Sequence, residues 1–277
     1  MNIIEAIFLG IIQGLTEFLP ISSSGHLVLF QKILGISAPA LFFDTLLHGG
    51  TLLAVLVVLR RDLWNLIRRP FQRLSALLIL ATITTVAMAL LFKDRMEETF
   101  ASGRWLGQAF LLTSLALFVS EYLSRRPGSA RNDAEMDWFD AVLIGGMQGI
   151  AIIPGISRSG FTISGALSRK LERNLAARFS FLLAVPAILG ALVLQLRELY
   201  EISHFESVNP AASEGLIMGI SPGALIAGTL AAAAVGFGAI TLMLRIVKER
   251  SLIGFAVYTA LLGSLILLDQ SFTHIVF

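Results

Sequence analysis

Two apolar stretches of this chain are too short to cross a bilayer, and each ends in a polar string that breaks a helix. Residues 2–19 run into EFLPISSSGH, residues 17–26, and residues 139–153 run into PGISRSG, residues 154–160. A helix of about 16 residues rises only about 24 Å, short of a hydrocarbon core about 30 Å thick. Irregular backbone at that depth is tolerated only where protein or internal water satisfies its N–H and C=O groups. Both segments therefore read as re-entrant helical hairpins whose breaks line an internal site. Six further stretches, 41–59, 74–92, 105–122, 177–196, 223–243 and 253–271, approach the roughly 20 apolar residues that a spanning helix needs. The fold class expected is all-α integral membrane: six transmembrane helices plus two re-entrant helical hairpins in an inverted repeat.

The repeat is written in the residues. LGIIQGL at 9–15 returns as IGGMQGI at 144–150, and SSSG at 22–25 returns as SRSG at 157–160, both 135 positions on. Phe43, Leu46, Leu47 and the exit Arg61-Asp62-Leu63 match Phe179, Leu182, Leu183 and Arg197-Glu198-Leu199 at a spacing of 136. One hairpin plus three spans is an odd number of crossings, so the second copy is inverted in the membrane, an arrangement familiar in secondary transporters. The first repeat covers about 1–123 and the second about 139–271, within one polytopic domain.

Loop charge sets the orientation, because Lys and Arg collect on the cytoplasmic side. Segments 60–73, 124–138, 168–178 and 245–250 hold 15 of the 21 basic residues and read as cytoplasmic. The opposite side holds Lys32, Lys93, Arg95, Arg104 and Arg197, with an acidic loop at 197–215 carrying Glu198, Glu201, Glu206 and Glu214. Both termini face outward in this topology. The first apolar stretch has no basic leader and no small-residue cleavage site, so it reads as part of the mature chain. A composition of 56% hydrophobic and 14% charged residues excludes an ordinary soluble domain, and basic residues confined to short loops exclude a nucleic-acid partner. The absence of cysteine excludes a disulfide framework, a thiolate metal site and a Cys nucleophile.

Gly10, Gln13, Gly14 and Glu17 fall at i, i+3, i+4 and i+7, which puts an amide and a carboxylate on one narrow face. A carboxylate within a membrane segment costs several kcal/mol unless paired or hydrated, so Glu17 reads as functional, with solvation at the interface as the bland alternative. Ser22, Ser23, Ser24 and Gly25 open a half-helix whose free N–H groups and dipole suit an anion; Ser157, Ser159 and Gly160 repeat them. A simple N-cap is the competing reading. Arg158, the basic group inside a break, calls for an anionic partner, either a phosphoryl group or Glu17 from the other break. His26 is placed to move a proton near the hydroxyls. His48, His204 and His274 read as packing or solvated groups. Glu17, Ser23, His26 and Arg158 together make a proton handler, a nucleophile, a base and an anion clamp, a set suited to phosphoryl transfer.

QGLTEFLPISSSGH and PGISRSGFTIS resemble the two signature motifs of the undecaprenyl-diphosphate phosphatase family, membrane proteins linked to bacitracin resistance, and the likeness runs the whole chain. The resemblance implies hydrolysis of undecaprenyl diphosphate to the monophosphate and inorganic phosphate, which recycles the lipid carrier of cell-wall synthesis. It implies a bacterial cytoplasmic (inner) membrane with the site facing the outer side, a polyprenyl diphosphate lipid as substrate, and a divalent cation, Mg²⁺ or Ca²⁺. The family's carboxylate falls on Glu17, its serine on Ser23, its histidine on His26 and its arginine on Arg158, with Ser157 and Ser159 beside it. The family motif often begins with a second glutamate where this chain has Gln13, leaving Glu17 as the metal-ligand candidate with Gln13 nearby. The mechanism expected has His26 activate Ser23 for attack on the terminal phosphorus. An SGH-type lipid phosphatase is a weak rival, since no His follows either SR at that family's spacing. A transporter or flippase of a phosphorylated polyprenyl lipid is the serious alternative, because every residue named binds as readily as it reacts.

Overall fold

The computed structural model describes residues 1–36, 41–102, 104–206 and 220–277. Among them the chain is all-helical apart from one isolated bridge between Arg131 and Leu171. The helices run α1 (Ile3–Phe18), α2 (Ser23–Ile33), α3 (Leu41–Val58), α4 (Arg60–Arg68), α5 (Arg73–Ser102) and α6 (Leu106–Ser124). They continue as α7 (Trp138–Ile150), α8 (Arg158–Ser168), α9 (Arg173–Glu206), α10 (Pro222–Glu249) and α11 (Ile253–Leu268), which ends in a π-turn at Asp269–Thr273.

Among the described residues, five segments are long and apolar enough to cross a membrane: Arg73–Leu91 of α5, α6, Arg173–Arg197 of α9, α10, and Ile253–Thr273. The sixth expected span differs from a plain helix. Phe42–Val58 reaches the required length only with Arg60–Arg68, and the two are bent by 76°. The bend has a sequence cause: α4 interleaves Arg60, Arg61, Asp62, Asn65 and Arg68 with Leu63, Trp64, Leu66 and Ile67, a cationic amphipathic helix of the kind that lies along a membrane surface. The matched exit at Arg197-Glu198-Leu199 behaves otherwise, because α9 passes straight through it to Glu206. The likeness at spacing 136 therefore stops at the helix end. Of the acidic loop expected at 197–215, residues 207–215, Glu214 among them, lie outside the described residues, as do the side chains of Glu198, Glu201, His204 and Glu206.

The bundle is apolar outside and partly polar inside. Ile79, Ile83 and Leu90 of α5, Leu230 and Leu242 of α10, and Leu261 and Leu265 of α11 are exposed, whereas Gln13, Thr51, Thr113, Ser120 and Thr162 are buried. A water-soluble protein does not carry apolar surface on this scale; lipid is the solvent that suits it.

The two short helical pairs fold back on themselves, α1 against α2 and α7 against α8. Each starts with a reciprocal cap: Asn2 with Glu5 on α1, Asp137 with Asp140 on α7. Each first half-helix then packs on one long helix, α1 on α10 and α7 on α5. Glycine permits both contacts. A Cβ on Gly10 would stand 2.2 Å from the Gly228 carbonyl oxygen, and one on Gly145 would stand 2.3 Å from that of Ala81. The backbones touch, as small-residue faces allow in lipid.

Candidate active site

The two breaks meet on Glu17. It sits in the last turn of α1, 5% exposed, where the face carrying Gly10, Gln13 and Gly14 turns into the bundle. Its Oε1 is paired with Arg158 Nη2 from the other break. Its Oε2 accepts Ser23 Oγ–H at 2.5 Å and Gln13 Nε2–H at 2.8 Å. Ser23 and Arg158 occupy the same position in SSSG and SRSG, so one repeat supplies a hydroxyl and the other a guanidinium to a single carboxylate. Of the two partners open to Arg158 from sequence, Glu17 is the one it has here, while its Nη1 is buried with no hydrogen-bond partner among the described residues.

The geometry of the breaks explains how these groups are aimed. After Pro20, Ser22 adopts φ 70°, a backbone region that costs a non-glycine residue of the order of 1–3 kcal/mol. Three contacts hold it: Ser22 Oγ accepts Gly25 N–H at 3.2 Å, and its carbonyl accepts His26 N–H at 3.2 Å and the His26 ring at Nδ1, 2.6 Å. Ser22 is thus the N-cap of α2 and turns Ser23 towards Glu17. Ser157 caps α8 in the same way, accepting Gly160 N–H at 3.0 Å. Ser24 Oγ lies 3.4 Å from Ser22 Oγ; Ser159 Oγ lies 3.3 Å from Ser157 Oγ and donates to the Leu19 carbonyl at 3.0 Å, tying one break to the other. Gly25 admits no side chain, since a Cβ there would meet Phe110 at 2.6 Å.

His26 has partners other than Ser23 in this structure. A carbonyl only accepts, so Nδ1 carries the proton given to Ser22 O, and the neutral ring then offers Nε2 as an acceptor. That nitrogen is 2.7 Å from Tyr258 OH on α11, with the two rings stacked 7° from parallel. The Ser23 hydroxyl, which the expected mechanism has His26 activate, donates to Glu17 here.

His48 is the residue that sequence reasoning missed. Read as packing or solvated, it stands on α3 with Nε2 3.5 Å from Glu17 Oε2, its Nδ1 held by the Asp44 carbonyl at 2.7 Å. Asp44 is itself buried and accepts Gln31 Nε2–H at 2.7 Å. The only signal available was position: Asp44 and His48 are one turn apart in an apolar span. His274 is exposed after the π-turn, in keeping with a tail.

For metal, the described residues contain no group of three or more His, Cys, Asp or Glu arranged to hold an ion. What the site does offer is Glu17 and the neighbouring Gln13 Oε1, a buried oxygen with no hydrogen-bond partner among the described residues. A carboxylate that receives a serine proton, beside a guanidinium with a free donor edge and two helix N-termini, can activate a nucleophile and hold a phosphoryl anion.

Comparison with known proteins shows the family. The family described as "Bacitracin resistance protein BacA" matches residues 6–265. The chain is 44% identical over 271 residues to a protein of Carboxydothermus hydrogenoformans named "Undecaprenyl-diphosphatase", covering 98% of each chain. It is 44% identical over 270 residues to "Undecaprenyl-diphosphatase 4" of Bacillus thuringiensis subsp. konkukian, again 98% of each, and 40% identical over 270 residues to "Undecaprenyl-diphosphatase" of Halothermothrix orenii. A match that spans both breaks and every helix that positions them leaves one conclusion: the chain belongs to the bacitracin resistance protein BacA family.

Proposed function

We propose that this membrane protein hydrolyses undecaprenyl diphosphate to undecaprenyl phosphate and inorganic phosphate. The observation that carries the reading is Glu17, joined at once to the Ser23 hydroxyl of one break and the Arg158 guanidinium of the other. The relatives' names give the substrate.

In this mechanism Ser23 Oγ attacks the terminal phosphorus, Glu17 Oε2 takes its proton, and the bond to the bridging oxygen breaks as the lipid monophosphate leaves. Water then attacks the phosphoserine and leaves with both its protons as dihydrogen phosphate, while Glu17, now protonated, returns its proton to the departing Ser23 Oγ. Arg158 turns its unpartnered Nη1 to a phosphate oxygen, and the N-termini of α2 and α8 add N–H donors. His26 serves by holding the Ser22 turn that aims Ser23. Glu17 and Gln13 Oε1 are the groups that would hold the divalent cation the family implies, as oxygen donors suited to a hard cation. When bound, such an ion neutralises charge developing on the phosphate oxygens.

Two features of the architecture belong to the same proposal. Residues about 1–123 and about 139–271 are inverted repeats: α1 on α10 and α7 on α5 exchange under a pseudo-two-fold axis, which brings two oppositely inserted hairpins together. In this reading the setting is the bacterial cytoplasmic membrane with Ser23 and His26 towards the outer face, an orientation supported by the distribution of basic residues among the loops. Phosphate release by purified protein in detergent, where no two compartments exist, tests hydrolysis against lipid transport. No release with a cation supplied would overturn the reading.

A further inference from the structure

Three of the four basic segments come together at one end of the bundle, around a cavity of about 390 Å³ formed where α6, α8, α9, α10 and α11 begin or end. Arg125, Lys170, Arg173, Lys248 and Arg250 line it, against the two carboxylates of Glu121 and Glu249. One of these two carboxylates is already spent. Glu121, 2% exposed, accepts from Arg173 at 2.6 Å and from the Leu252 backbone N–H at 2.8 Å, so it closes the floor as a paired group. Arg173 is committed as well, donating to the Val247 and Arg250 carbonyls at 2.6 and 2.7 Å.

The walls are built rather than loose. Arg131 N–H donates to the Lys170 carbonyl at 2.7 Å and Glu172 N–H to the Arg131 carbonyl at 2.8 Å, which clamps the 125–137 loop to the α8–α9 turn. Arg131 is fixed in turn by Asp140 at 2.8 Å and Asp137 at 3.0 Å. Lys170 adopts φ 60° and reaches back to the Pro127 carbonyl. Over this frame stand Arg125, Lys248 and Arg250. Arg125 reaches Ser251 Oγ at only 3.3 Å and Glu121 at 3.8 Å, and Lys248 and Arg250 show no side-chain partner among the described residues. Several like charges held around a rigid concavity repel one another unless an anion enters, and basic pockets at helix ends on the cytoplasmic side of a membrane suit phosphate headgroups.

We propose that this cavity is a binding site for a phosphate-bearing anion, supplied by the headgroup of an anionic phospholipid, separate from the Glu17 site. Arg125, Lys248 and Arg250 are its donors, and Glu121 and Arg173 are its fixed floor.

The test compares the full chain with a triple variant, Arg125→Gln, Lys248→Gln and Arg250→Gln, which leaves the clamp untouched. A second variant, Arg60→Gln and Arg68→Gln on α4, removes exposed charge outside the cavity. Lipid retained on protein purified from mixed phosphatidylglycerol and phosphatidylcholine is measured by native mass spectrometry, and melting is followed with added inorganic phosphate. Wild type and the α4 variant are expected to retain phosphatidylglycerol about 10-fold over phosphatidylcholine, with the preference falling to about 2-fold or less in the triple variant. If lipid shows no preference but inorganic phosphate stabilises wild type saturably and more than the triple variant, the anion site stands and the lipid source falls. Equal lipid ratios and equal phosphate responses in all three proteins overturn the proposal. Melting without added anion, matched between wild type and triple variant, identifies a folded variant. If that triple variant proves unfolded, Lys248→Gln alone is read in the same two assays, with a partial loss of preference expected and an unchanged ratio overturning the proposal.

Discussion

Arg158 and Ser23 hold the same place in two copies of one motif, and their difference is what makes the site asymmetric. A planar guanidinium can keep Glu17 on one edge while offering the other to phosphate, whereas an ammonium offers a point charge. Arg158→Ala is expected to lower phosphate release by about 100-fold or more with the protein still in the membrane, and Arg158→Lys to recover little. A fully active Lys variant would show that charge alone suffices. Glu17→Gln is expected to lose turnover by a similar factor; if Glu17 also holds cation, Gln13→Glu lowers the cation concentration giving half-maximal rate, read from a metal titration of activity. Tyr258→Phe separates positioning from proton transfer at His26. It removes the hydroxyl that meets Nε2, so it is expected to lower stability by about 1 kcal/mol and turnover modestly, while Ser23→Ala removes the reacting atom and costs several orders of magnitude. A Tyr258→Phe rate as low as that of Ser23→Ala would return His26 to the reaction itself.

Among the elements, the close contacts of α1 with α10 and of α7 with α5 set where the breaks lie. Gly145 and Gly146 are neighbours on α7 with opposite surroundings: a Cβ at 145 collides with the Ala81 carbonyl at 2.3 Å, and one at 146 meets nothing within 4 Å. Gly145→Ala must push α7 off α5, while Gly146→Ala only gains helix propensity, worth up to about 1 kcal/mol. Thermal unfolding in detergent should therefore fall for the first by several degrees and hold or rise for the second. Equal behaviour of the two would mean that the α5–α7 contact does not position the second break. The 76° bend between α3 and α4 belongs to this scale too, since an apolar count alone extends the span to residue 59 without a turn.

For the molecule as a whole, orientation is the property most open to direct measurement. The chain has no native cysteine, so a single introduced thiol reports one location. Ser23→Cys or His26→Cys is expected to react with a small membrane-impermeant reagent in intact cells, and Ser129→Cys only after the membrane is opened. The reverse pattern would place the site on the cytoplasmic face, and a carrier released outside would have to cross before hydrolysis. The same thiol at 129 lies in the loop that helps frame the basic cavity, so it also reports on which side that anion site opens.

Much of this was legible one residue at a time. Membrane class followed from apolar runs, and the two breaks followed from Pro20 and Pro154 with the glycines and serines beside them, since lipid leaves irregular backbone nowhere else to go. Glu17 and Arg158 stood out because charge in such segments demands a partner. What only the tertiary structure decided was the pairing itself. His26 and Tyr258 are 232 residues apart, and the choice of Tyr258 over Ser23 depends on how α11 is rotated against α2. His48 reaches Glu17 only because α3 packs against α1, and three basic segments become one cavity only where five helix ends converge. Spacing along the chain fixes which residues share a face of one helix; which faces meet is settled by packing between helices, where close backbone contact and buried hydrogen bonds select one arrangement.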